Sequence, residues 1–478
     1  MRCNEAPHRN LTVTLSDQAE ALVRQEPGQS AGRRMIHAGS WVGAGQVVSY
    51  AVRLGSSLLM TRILAPDAFG LMAIVAVICV ILALLSDVGI RPSILKSARG
   101  DDPDFLNTAW TVQVFRGGLM AAGTLVIAAV LYTTGTLGWL QAGTTFADPR
   151  LPALLAVTAV SPLILGWQST KLIQLERHFN MKAASLVPLA AQVVTVFVMV
   201  GIAFVTRSIW SIVVGGLCGN LAQVLLTHYS LPGERNRFRW EPEALHELVR
   251  FGRWVLLSSA ISVFALNGDR LVLGALVGAD QLGLYSIALN IASMLLAVVS
   301  SFIGALALPV FGEALRINRS QLQKSFFRMR RWMDWALVFC AGLLFTTAEP
   351  IVHLLYDDRY AQAGELLMAL SFGLAFSRVM LAQQVYMVLG QSKYLVIVSA
   401  VSVVTLYVAL PLSFLAGGLI AAVYAIALRE VPAYITVMIL NARHGLNDFR
   451  HEASVVLLWP VGWACGFVVV QVFRWSRI

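Results

Sequence analysis

Residues 62–78 read RILAPDAFGLMAIVAVI, and residues 269–292 read DRLVLGALVGADQLGLYSIALNIA. In each stretch a charged residue and a short apolar stub lead into a turn of the form Asp-x-Phe/Leu-Gly-Leu, which an apolar run follows. Glycine permits a tight turn, and aspartate can cap the helix that follows it. The repetition indicates that one structural unit occurs twice. The alternative is that any two short turns between helices share Asp and Gly.

The composition is that of a membrane protein. Hydrophobic residues make up 57% of the 478 residues and charged residues 13%, and the mean hydropathy is +0.71. A soluble domain carries about 25% charged residues, so this chain cannot cover a water-facing surface. The net charge of +10 does not indicate nucleic acid as a partner, because the basic residues lie in loops between apolar runs.

The sequence lacks the common motifs of catalysis and metal binding. It contains no phosphate-binding loop of the Gly-x-x-x-x-Gly-Lys-Ser/Thr type, no His-Glu-x-x-His and no Gly-x-Ser-x-Gly. No two of the five cysteines are close enough in sequence to form a metal-binding pair. We therefore predict no catalytic residue, no metal site, no cofactor and no enzymatic activity.

Thirteen apolar runs are each long enough to cross the ~30 Å hydrocarbon core as a helix. We predict them near residues 41–63, 70–89, 112–132, 153–174, 184–205, 209–231, 254–276, 284–309, 333–356, 364–388, 394–415, 418–440 and 453–473. Six helices separate the two Asp-x-Phe/Leu-Gly-Leu turns, so both halves enter the membrane in the same direction. The prediction is an all-α polytopic membrane protein of two parallel six-helix repeats, with at least one extra C-terminal helix.

The predicted organisation has five parts, namely a polar N-terminal tail (1–34), an N-terminal six-helix lobe (35–231), a cytoplasmic amphipathic linker (232–253), a C-terminal six-helix lobe (254–440) and an additional C-terminal helix (441–478). The tail has no apolar core, so it is not expected to be a cleavable signal peptide. A start at Met35 stays open as an alternative.

The lysines and arginines of the loops predict the orientation. If the N-terminus is cytoplasmic, the inside loops carry nearly all of them, including Arg116, and each outside loop carries at most one: Arg62, Arg150, Arg207 and Arg359. This asymmetry follows the positive-inside rule. We therefore expect a cytoplasmic N-terminus.

Charged residues within the predicted spans are candidate functional residues, because each costs about 2.5–3.5 kcal/mol on insertion scales. The six that we select are Arg53, Asp269, Arg270, Arg378, Arg429 and Glu430. Helices 1 and 7 are equivalent in the repeat, so Arg53 and Arg270 are predicted to approach one another across a central cavity. Two guanidinium groups in one cavity suit an anionic head group such as phosphate.

Alternatives stay open for several of these residues. Asp269 can pair with a nearby arginine and hold its lobe together, which would remove Arg270 from the cavity. Arg378 is a third candidate for the anionic head group. Arg429 and Glu430 are predicted to form an internal ion pair, and together with Asp269 they are the candidates for ion coupling.

Longer stretches carry a family resemblance. The segment LMTRILAPDAFGLMAIVAVICVILALLSDVGIRPSIL, followed by FLNTAWTVQVFRGG, resembles the N-terminal half of Wzx-type polysaccharide flippases, in the polysaccharide transporter branch of the MOP exporter superfamily. The segment NGDRLVLGALVGADQLGLYSIALNI resembles the start of their second half. The resemblance extends from about residue 35 to about residue 450.

The resemblance implies a V-shaped bundle of two six-helix lobes in the bacterial inner membrane. It implies movement of an undecaprenyl-pyrophosphate-linked oligosaccharide from the cytoplasmic to the periplasmic leaflet by alternating access, for surface polysaccharide biosynthesis. It also implies a cationic cavity, to which Arg53 and Arg270 correspond by position, and coupling to an H⁺ or Na⁺ gradient. The polysaccharide polymerase machinery is a further implied partner. Many longer members have fourteen helices, which leaves the C-terminal region open.

Three other functions compete with this interpretation. A multidrug antiporter of the same superfamily usually places acids in its cavity, where this chain offers only Asp269. A lipid II flippase shares the superfamily and the cationic cavity. A membrane polysaccharide polymerase or ligase uses a sizeable outward loop, whereas the longest one here, TTGTLGWLQAGTTFADPR, has only Asp148 and Arg150 as charged residues.

Overall fold

The computed structural model of the chain describes residues 31–178 and 180–475. Within these ranges the regular secondary structure is helical throughout. The predicted polar tail, residues 1–34, lies outside the described residues except for its last four, which begin the first helix.

The first half of the chain forms nine α-helices and one short 3₁₀ helix, Thr145–Ala147. The α-helices are α1 (Ala31–Ile63), α2 (Pro66–Leu85), α3 (Ile90–Lys96), α4 (Pro103–Thr136), α5 (Arg150–Thr158), α6 (Val160–Gly166), α7 (Lys171–Arg177), α8 (Met181–Thr206) and α9 (Trp210–Tyr229).

The second half also forms nine α-helices, with a second 3₁₀ helix at Asp358–Tyr360. The α-helices are α10 (Pro242–Leu276), α11 (Ala279–Ile317), α12 (Arg319–Leu355), α13 (Gln362–Phe376), α14 (Val379–Val388), α15 (Ser392–Leu428), α16 (Glu430–Ala442), α17 (Phe449–Val456) and α18 (Leu458–Trp475).

The chain is an all-α multi-pass membrane protein. Within the described ranges, nine helical stretches are long and apolar enough to cross a membrane, and the bent pair Arg150–Gly166 and Lys171–Arg177 makes ten if it forms one span. The predicted spans 41–63 and 254–276 lie in α1 and α10. The two predicted spans 394–415 and 418–440 lie in one stretch, Lys393–Ala442, whose backbone leaves the helical conformation at Gly417 and Gly418.

Helix boundaries recur at a constant spacing of 213 residues. The helix α1 ends at Ile63 and α10 at Leu276, and α2 begins at Pro66 and α11 at Ala279. The two 3₁₀ helices, Thr145–Ala147 and Asp358–Tyr360, have the same separation. A two-repeat organisation would produce such a recurrence, and it stays a prediction.

The two repeated turns pack directly against each other. A Cβ atom added to Gly70 would overlap the carbonyl oxygen of Ala279 and lie 2.9 Å from the amide nitrogen of Gly283. A Cβ atom added to Gly283 would overlap the carbonyl oxygen of Pro66 and lie 3.1 Å from the amide nitrogen of Gly70. Only glycine permits this approach of α2 to α11, and the contact is reciprocal, as in a two-fold interface.

Hydrogen bonds join the two halves around the same contact. This contact lies at the end of the molecule where α1 and α10 finish, which we call the outer end; the opposite end of the molecule is the inner end. The Tyr360 hydroxyl donates to the Leu64 carbonyl at 2.8 Å. The Arg359 guanidinium donates to the Thr61 carbonyl at 3.1 Å. In the opposite sense, the Thr145 amide donates to the Val277 carbonyl at 2.8 Å. The halves are thus closed against each other at the outer end.

At the inner end, the segment that joins the halves is bound to the first half. Arg99 forms a salt bridge of 2.8 Å with Glu241, and the Glu241 amide donates to the Thr108 hydroxyl of α4 at 3.1 Å. The helical part of the predicted linker is continuous with the following span, because α10 runs unbroken from Pro242 to Leu276.

Candidate functional site

A cavity of about 240 Å³ lies between α1 of the first half and α11 of the second. The residues of α1 that line it are Tyr50, Arg53, Leu54 and Ser57, and those of α11 include Asn290, Ser293, Met294 and Ala297. Both sets follow the spacing i, i+3, i+4, i+7, which places side chains on one face of a helix. Tyr356, directly after α12, lines the cavity as well.

Contacts with α8 position the cavity-lining face of α1. The Ser49 hydroxyl donates to the Gln192 side-chain oxygen at 2.6 Å, and the Gln192 amide returns a hydrogen bond to the Ser49 carbonyl at 3.0 Å. A Cβ atom on Gly45 would lie 3.1 Å from the Ser185 Cβ, so the two helices are close there. Arg53 follows one turn after Ser49. The hydrogen bonds between Ser49 and Gln192 fix the rotation of α1 and therefore the direction of the Arg53 side chain.

Arg53 is exposed to the cavity. Within the described ranges, no acidic side chain pairs with its guanidinium. The other lining residues are apolar or carry neutral amide and hydroxyl groups. The cavity therefore carries an uncompensated positive charge together with hydrogen-bonding groups, a combination that suits an anionic ligand.

Arg270 does not line this cavity, contrary to the prediction that it approaches Arg53 there. The two helices end at equivalent positions, Ile63 and Leu276. Arg270 is nearer to its helix end than Arg53 is by four residues, which at 1.5 Å per residue amounts to about 6 Å along the helix. It is half-buried, and its Nε atom is buried without a hydrogen-bond partner among the described residues.

Asp269 lies in a polar cluster inside the second half. It is 4% exposed and accepts a short hydrogen bond from the hydroxyl of Tyr285. Its Oδ1 atom is buried with no partner among the described residues. Arg270 and Arg429 both lie within electrostatic reach of Tyr285. The cluster therefore contains a buried carboxylate that is only half satisfied.

Arg429 and Glu430 are paired, with Arg429 Nε at 3.3 Å from the carboxylate of Glu430. The Ser402 hydroxyl also donates to Glu430, at 2.9 Å. One terminal nitrogen of Arg429 is buried and has no partner in the described ranges.

Arg378 lies in a different environment from the cavity wall predicted for it. It is 8% exposed and lies 3.5 Å from Asp334 and 3.3 Å from Glu452. Its guanidinium stacks over the ring of Tyr434 at 4.6 Å from the ring centroid. Arg330 is paired with the same two acids. Two arginines and two carboxylates thus neutralise one another.

Sequence reasoning missed most of the cavity lining. Four of the lining residues are polar but uncharged, so a charge within a span does not reveal them: Ser57, Asn290, Ser293 and Tyr356. The signal that could have found Asn290 and Ser293 is their i, i+3 spacing in the otherwise apolar stretch 287–299.

A family model described as "Polysaccharide biosynthesis protein" matches residues 59–365. Similar proteins include the amylovoran biosynthesis protein AmsL of Erwinia amylovora, 28% identical over 47% of this chain and 59% of that protein. The lipopolysaccharide biosynthesis protein WzxC of Escherichia coli is 22% identical over 62% of this chain and 58% of its own. The succinoglycan biosynthesis transport protein ExoT of Rhizobium meliloti is 22% identical over 70% and 65%. The matches thus span less than two thirds of the length of these relatives.

Solved structures with the same fold include the lipid II flippase MurJ in an inward closed conformation, with a TM-score of 0.68 at 12% identity, over 90% of this chain and 97% of that one. A MATE family multidrug transporter of the MOP superfamily, in an inward-facing conformation, has a TM-score of 0.65 at 12% identity, over 86% and 95%. At such identities the likeness shows the fold alone. The family match covers more than half of the chain, which therefore belongs to the polysaccharide biosynthesis protein family of membrane proteins.

Proposed function

We propose that this protein is a flippase that moves a polyprenyl-pyrophosphate-linked oligosaccharide, with undecaprenyl pyrophosphate as the carrier, across the bacterial inner membrane for surface polysaccharide biosynthesis. The observation that carries the proposal is the unpaired Arg53 in the cavity between the halves. The family and the names of AmsL, WzxC and ExoT support it.

The chemistry of such a substrate fits the cavity. A diphosphate cannot cross hydrocarbon unaided, because burying an unpaired charge is very costly. Arg53 would bind the diphosphate through charge-assisted hydrogen bonds. Asn290 and Ser293 would hydrogen-bond the first sugar, and the lipid tail would stay in the bilayer. The cavity of about 240 Å³ admits the head of such a substrate but not a whole oligosaccharide, so the bundle must open further to load it.

The closed outer end supports transport by alternating access. The reciprocal contact of Gly70 with Gly283 and the hydrogen bonds of Arg359 and Tyr360 shut the cavity on that side. Release there requires these contacts to break and contacts at the inner end to form. The N-terminus then lies in the cytoplasm and the outer end faces the periplasm.

No cofactor is needed if an H⁺ or Na⁺ gradient drives the cycle. Asp269 is the coupling residue in this proposal, because its buried carboxylate has a free oxygen that a proton or a cation can occupy. The neighbouring Arg429–Glu430 pair would respond to the resulting change of charge. The protein has no catalytic role of its own here, and it would deliver its product to polysaccharide polymerase machinery.

Two other transport functions remain as competitors. Lipid II also carries a polyprenyl diphosphate, so a lipid II flippase would use Arg53 in the same way. A multidrug antiporter would need an acid in the cavity for its cationic drugs. Among the described residues that line the cavity, the one charged side chain is that of Arg53, which is a cation.

Deletion of the gene tests the proposal. Surface polysaccharide and lipid-linked intermediates are measured in the same strain, together with drug susceptibility. The proposal predicts loss of the polysaccharide, lipid-linked repeat units that accumulate on the cytoplasmic leaflet, and unchanged drug susceptibility. Normal polysaccharide and normal lipid pools with increased drug susceptibility would contradict it and favour the antiporter.

A further inference from the structure

A second and larger cavity, of about 580 Å³, lies within the first half of the protein. It is lined by α2, α3, α4 and the broken helix pair α6–α7. This volume is within the usual range of small-molecule pockets and more than twice that of the cavity at Arg53. The transport proposed above makes no use of it.

The cavity has a polar end and an apolar end. Arg116, Asp87 and Gln113 line the polar end, and Cys79, Val80 and Met120 belong to the apolar part. From the charge pattern of the two helices we place the polar end at the inner edge of the hydrocarbon core. Residues 68–86 before Asp87 and residues 117–132 after Arg116 carry no charge, so the apolar part of each helix begins there. The sequence-based orientation counted Arg116 as a loop residue, whereas the structure places it inside α4.

The charge of Arg116 is poorly neutralised. Its guanidinium donates to the Ala83 carbonyl at 2.6 Å and to the Ser86 hydroxyl at 3.1 Å, both neutral groups. The nearest carboxylate, that of Asp87, is 3.9 Å away and accepts a hydrogen bond from the Gly89 amide at 2.9 Å. Arg91, which also lines the cavity, is paired with Glu176 at 2.8 Å. Arg116 therefore gives the polar end a positive charge that a ligand can share.

The back wall of the cavity is preformed. A Cβ atom on Gly117 would lie 2.5 Å from the Pro162 carbonyl oxygen, so α4 and α6 cross in close contact. The break between α6 and α7 frees backbone carbonyls, and the Gln113 amide donates to those of Gly166 at 3.1 Å and Gln168 at 2.9 Å. A rigid wall, a cation at the head-group level and an apolar continuation match the shape and charge of a membrane lipid.

We propose that this cavity binds the phosphate head of an anionic membrane lipid, with Arg116 on the phosphate and the start of the chain beside Val80 and Met120. Basic pockets between membrane helices on the cytoplasmic side commonly hold anionic lipid heads. A bulk phospholipid and a prenyl diphosphate share this chemistry.

Native mass spectrometry of the full chain in detergent tests the site with three probes: dioctanoyl phosphatidylglycerol, dioctanoyl phosphatidylcholine and geranylgeranyl diphosphate. An anionic probe is expected to bind at least about tenfold more tightly than phosphatidylcholine, because the choline ammonium cancels the net charge of that head group and is repelled by Arg116. Tighter binding of phosphatidylglycerol assigns the site to bulk phospholipid, and tighter binding of geranylgeranyl diphosphate assigns it to a carrier-type lipid. Equal binding of phosphatidylcholine, or no binding of either anionic probe, would overturn the proposal.

Variants locate the binding. Arg116→Gln is expected to lower the affinity for the anionic probe about tenfold. Arg235→Gln, which removes an exposed arginine of the same inner end outside the cavity, should leave the affinity unchanged. Because Arg116 also bonds to α2, a second variant keeps the arginine: Met120→Trp fills the apolar part of the cavity and should reduce binding by itself. Full binding by both Arg116→Gln and Met120→Trp would overturn the assignment. Since lipid binding is the readout, the result is independent of the proposed transport.

Discussion

Arg53 is the residue on which the proposed transport depends most. Its guanidinium lines the cavity with no acidic partner in the described part of the chain, so its charge is available to a diphosphate. Charge-assisted hydrogen bonds contribute about 1.5–3 kcal/mol. Arg53→Ala should therefore lower the rate of flipping about tenfold to a hundredfold, measured as restoration of surface polysaccharide in a deletion strain.

Two further variants make this result specific. Arg53→Lys keeps the charge but cannot bind bidentately, and should restore export partly. Arg235→Ala removes a positive charge outside the cavity and should restore it fully. Equal export from Arg53→Ala and the wild type would remove Arg53 from the substrate site.

Asp269 provides a separate test, of coupling. Asp269→Asn keeps a side-chain oxygen for the Tyr285 hydroxyl but removes the ionisable group. We expect the variant to fold, to bind substrate and to lose the dependence of flipping on an imposed H⁺ or Na⁺ gradient. Transport in vesicles with and without each gradient measures this. An unchanged gradient dependence would exclude Asp269 as the coupling residue.

At the scale of residues, sequence reasoning identified charges but not their partners. The pairing of Arg429 with Glu430 is visible in sequence because the two are adjacent. The environment of Arg378 is not, because its partners Asp334 and Glu452 are far away in the chain. The position of Arg270 along its helix, compared with that of Arg53, depends on where each helix ends. Helix boundaries predicted from sequence are uncertain by a few residues, so the sequence could not show that the two arginines lie at different levels.

The helices α2 and α11 meet through their glycines, and this contact belongs to the element scale. Gly70→Ala or Gly283→Ala would push a methyl group into the opposite backbone. Each substitution should separate the helices at the outer end and shift the protein towards an outward-open state. The measurement is the distance between spin labels at Thr136 and Leu354, after the native cysteines are replaced, and it should increase.

A matched control is Gly216→Ala, because a Cβ atom there has nothing within 4 Å. It should leave the distance unchanged. The double variant Gly70→Ala and Gly283→Ala should increase the distance by less than the sum of the two single increases, because both substitutions break the same contact. Unchanged distances in both single variants would show that this contact does not hold the outer end closed.

The C-terminal helix α17 is attached to the second half through a largely buried cluster of charges. Glu452 of α17 pairs with Arg330 and Arg378, and removing one partner of a buried pair costs about 3–5 kcal/mol. Glu452→Gln should lower the melting temperature in detergent by several degrees. Glu313→Gln breaks an exposed pair with Arg316 at 3.9 Å and should change it little. Equal melting temperatures would mean that the cluster does not stabilise the protein.

Elements were the most predictable scale, because long apolar runs have few alternatives to membrane helices. The repeated turn at Asp67 and Asp280 was visible in the sequence, but that the two turns contact each other was not. The break between α6 and α7 was also missed, since Gly166 and the polar residues after it look like the interior of one span.

At the scale of the whole molecule, the outer contact should not respond to pH in the physiological range. The hydrogen bond from Arg359 lowers the pKa of Asp357, and Asp357 in turn holds Arg359 against the carbonyl of Thr61. A lowered pKa means that the stabilisation is complete above the unfolded value of about 3.9 and is lost only as the pH falls through the lower, folded value. The Thr136–Leu354 distance should stay constant from about pH 8 to pH 5, whereas Asp357→Asn should increase it throughout. A distance that changes between these pH values in the wild type would assign the contact to another titrating group.

The measurement that tests the central claim most directly is flipping by the purified protein in proteoliposomes. A polyprenyl-diphosphate-linked oligosaccharide is placed in one leaflet, and its appearance in the other is followed by a sugar-modifying enzyme that cannot cross the membrane. We predict movement that requires the protein, responds to an ion gradient and falls at least about tenfold with Arg53→Ala. No movement above that of empty liposomes, with a protein that keeps its melting transition, would contradict the proposed function.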